Sequence, residues 1–305
     1  MKSILITGAK GFLGSNVSKH FKALGYKTYG IGHNRLSASD SIDSSLDYWK
    51  EDDISMRSIL EFKSDFDTIV HCAGSGSVRF SIEHEAEDYK RTVNGTLEVL
   101  EYMKIHNPKA YLIYPSSPAV QGEYLDKPRK EEYVGTPVSP YGDHKKLTED
   151  LCQTFSKEFG LNISIIRLFS VYGNGLKKQL LWDACNKILN ANKEVIFWGS
   201  GNEVRDFIHI SDVMSLFDMI LNTRDKFLII NGGTGIRNTV KDIVETIRDS
   251  IDPNISIRFD NQQDVGNPIY YYADTQKLTK YGYKVSKNLK QEIRNYIEWV
   301  KSLDD

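Results

Sequence analysis

Tyr141 and Lys145 stand four residues apart in the run Ser139-Pro140-Tyr141-Gly142-Asp143-His144-Lys145. On a helix this spacing puts both side chains on one face. A phenol with a reference pKa of about 10 exchanges protons poorly at neutral pH. An ammonium beside a phenol favours the phenolate and brings proton transfer towards the working range. The same ammonium can hold a ribose hydroxyl. Upstream lies a hydroxyl pair, Ser116-Ser117, in Tyr114-Pro115-Ser116-Ser117-Pro118-Ala119-Val120-Gln121-Gly122. A serine there, just past a strand, can hydrogen-bond the oxygen of a reacting carbonyl or alcohol. The three residue types suit proton transfer coupled to hydride transfer.

A hydride needs a carrier, and the N-terminus offers a place for one. Thr7-Gly8-Ala9-Lys10-Gly11-Phe12-Leu13-Gly14 follows the first apolar run and has GxxGxxG spacing. A turn without side chains lets the backbone approach a pyrophosphate, which then sits on the positive end of the next helix. Gly8, Gly11, Phe12, Leu13 and Gly14 are the expected cradle. The second apolar run ends in Gly32-His33-Asn34-Arg35, with no carboxylate. NAD-binding versions place an acid about 20 residues beyond the glycines to grip the ribose hydroxyls, whereas a guanidinium suits a 2′-phosphate. His33, Asn34 and Arg35 therefore point to NADP, with NAD as the alternative. Asp53, in Glu51-Asp52-Asp53-Ile54, is placed near the adenine.

These residues need a scaffold that brings strand ends together. Apolar runs at 3–7, 28–31, 68–71, 110–114 and 162–168 alternate with helical patterns at 11–24, 55–62, 89–105 and 140–159. That rhythm implies βαβ units with right-handed crossovers. The expected fold is α/β, a Rossmann-type doubly wound parallel sheet with a smaller mixed C-terminal substrate lobe. Residues 1–172 form the dinucleotide-binding domain, rejoined by 206–234; residues 173–205 and 235–305 form the substrate-binding lobe, with helices at 179–191, 239–251 and 290–303.

With 305 residues, 40% of them hydrophobic, the chain can bury a sizeable core. A formal net charge of −2 gives no footprint for nucleic acid. Cys72, Cys152 and Cys185 form no CxxC pair, which argues against a metal site or disulfide framework and suits a reducing cytoplasm. The first apolar run is too short for a signal peptide or a membrane span, so no membrane association is expected.

With these motifs in place, the chain resembles the extended short-chain dehydrogenases/reductases, in the group of nucleotide-sugar epimerases, dehydratases and reductases. The resemblance runs essentially the whole length. It also rests on His71-Cys72-Ala73-Gly74, on Asn94 in Thr92-Val93-Asn94-Gly95-Thr96, on Arg167-Leu168-Phe169-Ser170-Val171-Tyr172-Gly173, and on Arg205-Asp206-Phe207-Ile208-His209-Ile210-Ser211-Asp212-Val213. It implies that Ser117, Tyr141 and Lys145 are the catalytic triad and that Ala73 and Asn94 join the cofactor site. It implies that Ser117, Ser170 and Arg205 meet a nucleotide-diphosphate sugar, with Arg205 on the diphosphate. It further implies a homodimer through the helices at 89–105 and 140–159, with Leu97, Leu100, Leu147, Leu151 and Phe155 as the apolar positions beyond those needed for one sheet.

Four departures narrow the expectation. Ala119 stands where the family's 4,6-dehydratases and decarboxylating members have a carboxylate, so nothing obvious removes a C5 proton. Ser170 replaces a common Asn, and Gln121 replaces a common Tyr. The second phosphate-binding Arg expected near Asp264-Val265-Gly266 is absent. The reading that follows is NADPH-dependent reduction of a nucleotide-linked 4-keto-6-deoxyhexose, with Tyr141 protonating the oxygen and Ser117 orienting it. The alternative is an NAD-dependent nucleotide-sugar 4-epimerase. A non-catalytic dinucleotide-sensing protein is a distant third, because such proteins lose a member of the triad and this chain has all three.

Overall fold

The computed structural model describes residues 1–33, 45–262, 266 and 268–303. Asn34 and Arg35, two of the expected cofactor residues, lie outside the described residues, as do Asp264 and Val265.

Strand β1 (Ser3–Thr7) leads into helix α1 (Phe12–Ala23) and strands β2 (Lys27–Gly32) and β3 (Tyr48–Glu51). Helix α2 (Met56–Leu60), strand β4 (Thr68–His71) and helices α3 (Val78–Glu83), α4 (Glu85–Tyr89) and α5 (Gly95–His106) follow. Next come β5 (Tyr111–Ser116), α6 (Pro140–Phe159), β6 (Asn162–Leu168) and β7 (Ser170–Tyr172). The chain continues through α7 (Gln179–Leu189), β8 (Glu194–Phe197), β9 (Val204–Arg205), β10 (Phe207–His209), α8 (Ile210–Thr223) and β11 (Phe227–Gly232). It ends with β12 (Asn238–Thr239), α9 (Val240–Ile251), β13 (Ser256–Phe259), β14 (Tyr270–Tyr271), α10 (Gln276–Lys280) and α11 (Leu289–Lys301).

Seven strands form one sheet in the order β11-β6-β5-β4-β1-β2-β3. β1 pairs in parallel with both β2 and β4, and β4, β5 and β6 continue in parallel. The chain winds outwards from β1 to β3, then restarts at β4 on the other side of β1. That reversal opens a crevice at the carboxyl ends of β1 and β4, where doubly wound sheets take ligands. The strands are apolar along their length because both faces are covered: Ile4, Leu5, Ile6, Ile69, Val70, Leu112, Ile113, Ile163 and Ile165 are fully buried.

The chain divides into two compact units, residues 1–122, 136–167 and 214–230 in the first, and 123–135, 168–213 and 231–305 in the second. In the first unit, Val99 and Leu100 of α5 and Cys152 and Phe155 of α6 close the core over Leu5, Ile69, Leu112 and Ile163. In the second, Leu181 and Cys185 of α7 pack with Ile243 and Ile247 of α9 and Ile293, Tyr296 and Ile297 of α11.

The units depart from the expected boundaries at 123–135, at 168–172 and at both ends of the return segment, which spans 214–230 rather than 206–234. Residues 123–135 lie between Ser117 and Tyr141 in sequence, yet they belong to the second unit. The Arg129 N–H donates to the Tyr272 carbonyl at 2.9 Å, and the Asp274 N–H donates to the Arg129 carbonyl at 2.8 Å. Glu131 Oε1 accepts the Asn231 N–H at 2.9 Å. Such pairings join segments far apart in sequence, and no local pattern announces them. Residues 168–172 also fall in the second unit, where β7 pairs with β10. Among the described residues no helix is long and apolar enough to cross a membrane, and no cluster of His, Cys, Asp and Glu is arranged to hold a metal.

Candidate active site

The glycine turn after β1 is shaped by contacts that admit no side chain. Gly8 adopts a positive φ of 63°, a conformation L side chains rarely take. A Cβ there would lie 2.9 Å from the Ala73 nitrogen at the end of β4. At Gly14 a Cβ would lie 2.2 Å from the Gly8 carbonyl oxygen. The turn closes through Gly11 N–H to Gly8 O at 2.9 Å, and Gly11 caps α1 with no side-chain bond. The N–H groups of Phe12 and Leu13 are then among those a helix start leaves without an intrahelical acceptor. All five expected cradle residues thus converge on one helix N-terminus, which suits an anionic pyrophosphate.

A buried polar chain holds this turn to the next strand. Thr7 Oγ1 accepts the Ala73 N–H at 3.1 Å and meets His71 Nδ1 at 2.7 Å. His71 Nε2 meets Thr96 Oγ1 at 3.1 Å, and that hydroxyl donates to the Thr92 carbonyl at 2.6 Å. Because Thr96 spends its proton on Thr92, His71 must donate from Nε2 and accept at Nδ1 from Thr7. Burial, reinforced by the charge of Lys145, pushes the His71 pKa down to about 3, so the ring stays neutral in this tautomer. Asn94 ends a single π turn, Lys90–Asn94, that leads into α5, and it is exposed.

At the end of β2 the structure supplies what the strand itself lacks. His33 Nε2 and Asp53 Oδ1 lie 2.7 Å apart, both exposed. The His33 hydrogen bond is the main influence holding the Asp53 carboxyl below its usual range. An ionised acid, itself one of the expected cofactor residues, therefore stands beside His33 at the end of β2. It comes from the segment after β3, which pairs with β2, and not from β2 itself.

The residues expected to transfer protons lie at the end of β5 and the start of α6. Ser139 caps α6, its Oγ accepting the Gly142 N–H at 3.3 Å, and Pro140 takes the first helical position, where its missing N–H costs nothing. Tyr141 and Lys145 then lie one turn apart. The Tyr141 N–H donates to Ser81 Oγ at 3.0 Å, whereas its phenolic Oη has no partner among the described residues. Lys145 is buried; its Nζ donates to Tyr114 Oη and to the Pro115 carbonyl, both at 3.1 Å. That uses two of three N–H bonds and leaves one for a ligand. Tyr114 in turn bonds Thr148 Oγ1 at 2.7 Å, and burial pushes its phenol pKa up, so it serves Lys145 as a neutral acceptor.

Ser117 caps the short 3-10 turn Pro118–Gln121, its Oγ accepting the Ala119 N–H at 3.2 Å. This leaves the hydroxyl proton free to donate outwards. Gly142 lets the turn press on α6: a Cβ there would lie 2.7 Å from the Ala119 carbonyl oxygen. Ser117, Tyr141 and Lys145 all belong to the first unit. Sequence reading passed over Ser81 and Glu149, gave Tyr114 and Arg167 no role beyond their motifs, and did not distinguish Ser116 from Ser117. The one available signal for Glu149 was its position four residues beyond Lys145.

Ser170 and Arg205 belong to the second unit. The Ser170 N–H donates to the Asp206 carbonyl at 2.9 Å. Arg205 Nη1 donates to the carbonyls of Val204, Pro268 and Ile269, at 2.8, 3.1 and 3.2 Å. Its guanidinium lies 5.4 Å from the Tyr271 ring centre, and that of Arg129 lies 4.4 Å from the same ring. The family resemblance implies a second arginine near Asp264, which the sequence lacks; the structure brings Arg129, from 123–135, to the neighbourhood of Arg205. Arg129 is fully buried and donates twice to the Tyr270 carbonyl, through Nε at 3.2 Å and Nη2 at 2.8 Å.

The chain is similar to several known proteins. A UDP-glucuronate 4-epimerase of Thermodesulfobacterium geofontis is 29% identical over 226 residues, 68% of this chain and 68% of its own. A UDP-glucose 4-epimerase of Yersinia pestis is 25% identical over 327 residues, 97% of this chain and 96% of its own. The crystal structure of UDP-glucuronic acid 4-epimerase from Bacillus cereus, in complex with UDP-glucuronic acid and NAD, matches with a TM-score of 0.86 at 25% identity over 99% of both chains. The model of the NAD dependent epimerase/dehydratase family matches residues 4–232. With its parallel sheet, glycine cradle and Ser-Tyr-Lys cluster, this chain belongs to the NAD dependent epimerase/dehydratase family.

Proposed function

We propose that the protein is a UDP-sugar 4-epimerase that works with a retained NAD. The observation that carries the choice over a reductase is the carboxylate of Asp53 beside His33. An acid at this corner repels a 2′-phosphate and accepts hydrogen bonds from a ribose or an adenine amine. The relatives named above, each a 4-epimerase, support the same choice. The NADP expectation rests on the run His33-Asn34-Arg35, of which Asn34 and Arg35 lie outside the described residues.

The glycine turn fits a dinucleotide, since Gly11 caps α1 with no side-chain bond and the first N–H groups of that helix remain to meet a pyrophosphate. When bound, the nicotinamide supplies a hydride acceptor for oxidation at C4 of the sugar and a hydride donor for the return. Gly11, Phe12, Leu13 and Gly14 hold the pyrophosphate, Asp53 and His33 the adenosine end, and Ala73 and Asn94 the middle. Lys145 gives its remaining N–H to the nicotinamide ribose. Tyr141 Oη takes the C4 hydroxyl proton and later restores it, while Ser117 Oγ donates to the same oxygen. Ala119 leaves no carboxylate beside Ser117, which suits a reaction that never removes the C5 proton. Ser170 and Arg205 meet the substrate, Arg205 at its diphosphate.

The test is interconversion at C4 with no cofactor added. UDP-glucose and UDP-glucuronate are incubated separately with the purified protein, and the products are resolved by chromatography. At least one is expected to reach equilibrium with its C4 epimer. Consumption of NADPH in step with reduction of a nucleotide 4-keto-6-deoxysugar, with neither UDP-sugar interconverted, establishes the reductase instead.

The proposed assembly is a homodimer through α5 and α6. The candidate positions are Leu97, Ile105, Leu147 and Phe159, which remain 38–54% exposed. Leu100 and Phe155, expected at such an interface, are buried in the subunit's own core, and Leu151 packs against it. Sedimentation at micromolar concentration should give the mass of two chains; the mass of one chain alone rules the dimer out.

A further inference from the structure

Three successive residues at the end of β5 are fastened to one face of α6. Tyr114 bonds Lys145 and Thr148, the Pro115 carbonyl accepts from Lys145, and Ser116 Oγ donates to Glu149 Oε1 at 2.6 Å. Tyr114 and Ser116 share a side of the strand, and Lys145, Thr148 and Glu149 share a side of the helix. Arg167 completes the set from the neighbouring strand, where it is the register partner of Ser116. Its Nη2 lies 2.8 Å from Glu149 Oε2, and its Nε lies 3.1 and 3.3 Å from the two carboxylate oxygens. Ser116, Glu149 and Arg167 are 5%, 5% and 7% exposed.

We propose that Ser116 is a positioning residue: through Glu149 it fixes the Ser117 hydroxyl against the helical face that carries Tyr141 and Lys145. The two adjacent serines then have different tasks. Ser117 meets the substrate oxygen, and Ser116 ties the strand end that carries Ser117 to the turn of α6 just beyond Lys145. The Arg167–Glu149 pair is already bidentate and satisfies both charges. A purely structural ion pair has no need of Ser116; its bond adds a link between strand and helix at the residue where the substrate hydroxyl begins. Rigid support of this kind keeps reacting groups within the narrow geometry that transfer requires.

The inference rests on the roles given above to Ser117, Tyr141 and Lys145. Its test compares Ser116→Ala and Ser116→Thr with the wild type in the intact protein. In Ser116→Ala the Arg167–Glu149 pair survives. Its kcat should fall about ten- to a hundredfold, while KM for the UDP-sugar, NAD affinity and melting temperature stay near wild type. Ser116→Thr, which keeps the hydroxyl on a strand that accommodates a β-branched side chain, should recover most of the lost kcat. A Ser116→Ala protein with wild-type kcat overturns the proposal. So does one whose kcat, NAD affinity and melting temperature all drop together, since that marks a structural bond only. A wild-type protein that interconverts no UDP-sugar defeats the epimerase reading and leaves this one testable, because reduction of a 4-keto sugar draws on the same Ser117 and Tyr141.

Discussion

Replacing Tyr141 with Phe should lower turnover by about 10²–10⁴-fold, the range of a lost acid–base group, while NAD binding stays nearly unchanged. The substitution removes only Oη. The contacts that place residue 141 are its N–H to Ser81 Oγ and the Ser139 cap on Gly142, and both persist. Lys145 keeps its bonds to Tyr114 and Pro115, so the ribose contact proposed for its third N–H survives. The effect should appear in kcat and kcat/KM alike, because the lost interaction belongs to the transition state. Steady-state kinetics with a UDP-sugar, together with NAD titration by fluorescence quenching, reads both quantities. Retention of more than about a tenth of the wild-type rate assigns proton transfer to another group.

The second large effect is on stability. Arg167→Met should destabilise the protein by about 3–5 kcal/mol, the cost of stripping one partner from a buried ion pair. Glu149 is then left with the Ser116 hydroxyl as its remaining bond from the trio, in a site where neither residue meets much water. A double variant, Arg167→Met with Glu149→Met, should recover most of the loss, since an apolar pair of similar volume avoids burying an unmatched charge. Urea unfolding at neutral pH, with the midpoints of wild type, single and double variants compared, measures both. If Arg167→Met unfolds within about 0.5 kcal/mol of wild type, as surface substitutions do, the pair is not the buried link described here.

Much of the site was legible in the sequence because its signals are local. The Tyr141–Lys145 spacing works through the helix period, and the glycines from Gly8 to Gly14 work through a single turn, so a few adjacent letters carry each. The parallel sheet was legible for a similar reason: apolar runs such as Thr68–His71 alternate with helical stretches, and few other folds satisfy that alternation. What the sequence could not show depends on which distant segments meet. Asp53 stands beside His33 because β3 pairs with β2, a meeting of two segments that the run Gly32-His33-Asn34-Arg35 does not announce. Arg129 comes near Arg205 because 123–135 leaves the first unit to bridge to Ala273. Leu100 and Phe155 read as spare apolar positions on their helices, yet packing buries both within the subunit. Helix periodicity says which residues share a face; only the tertiary contacts say whether that face meets core, solvent or another chain.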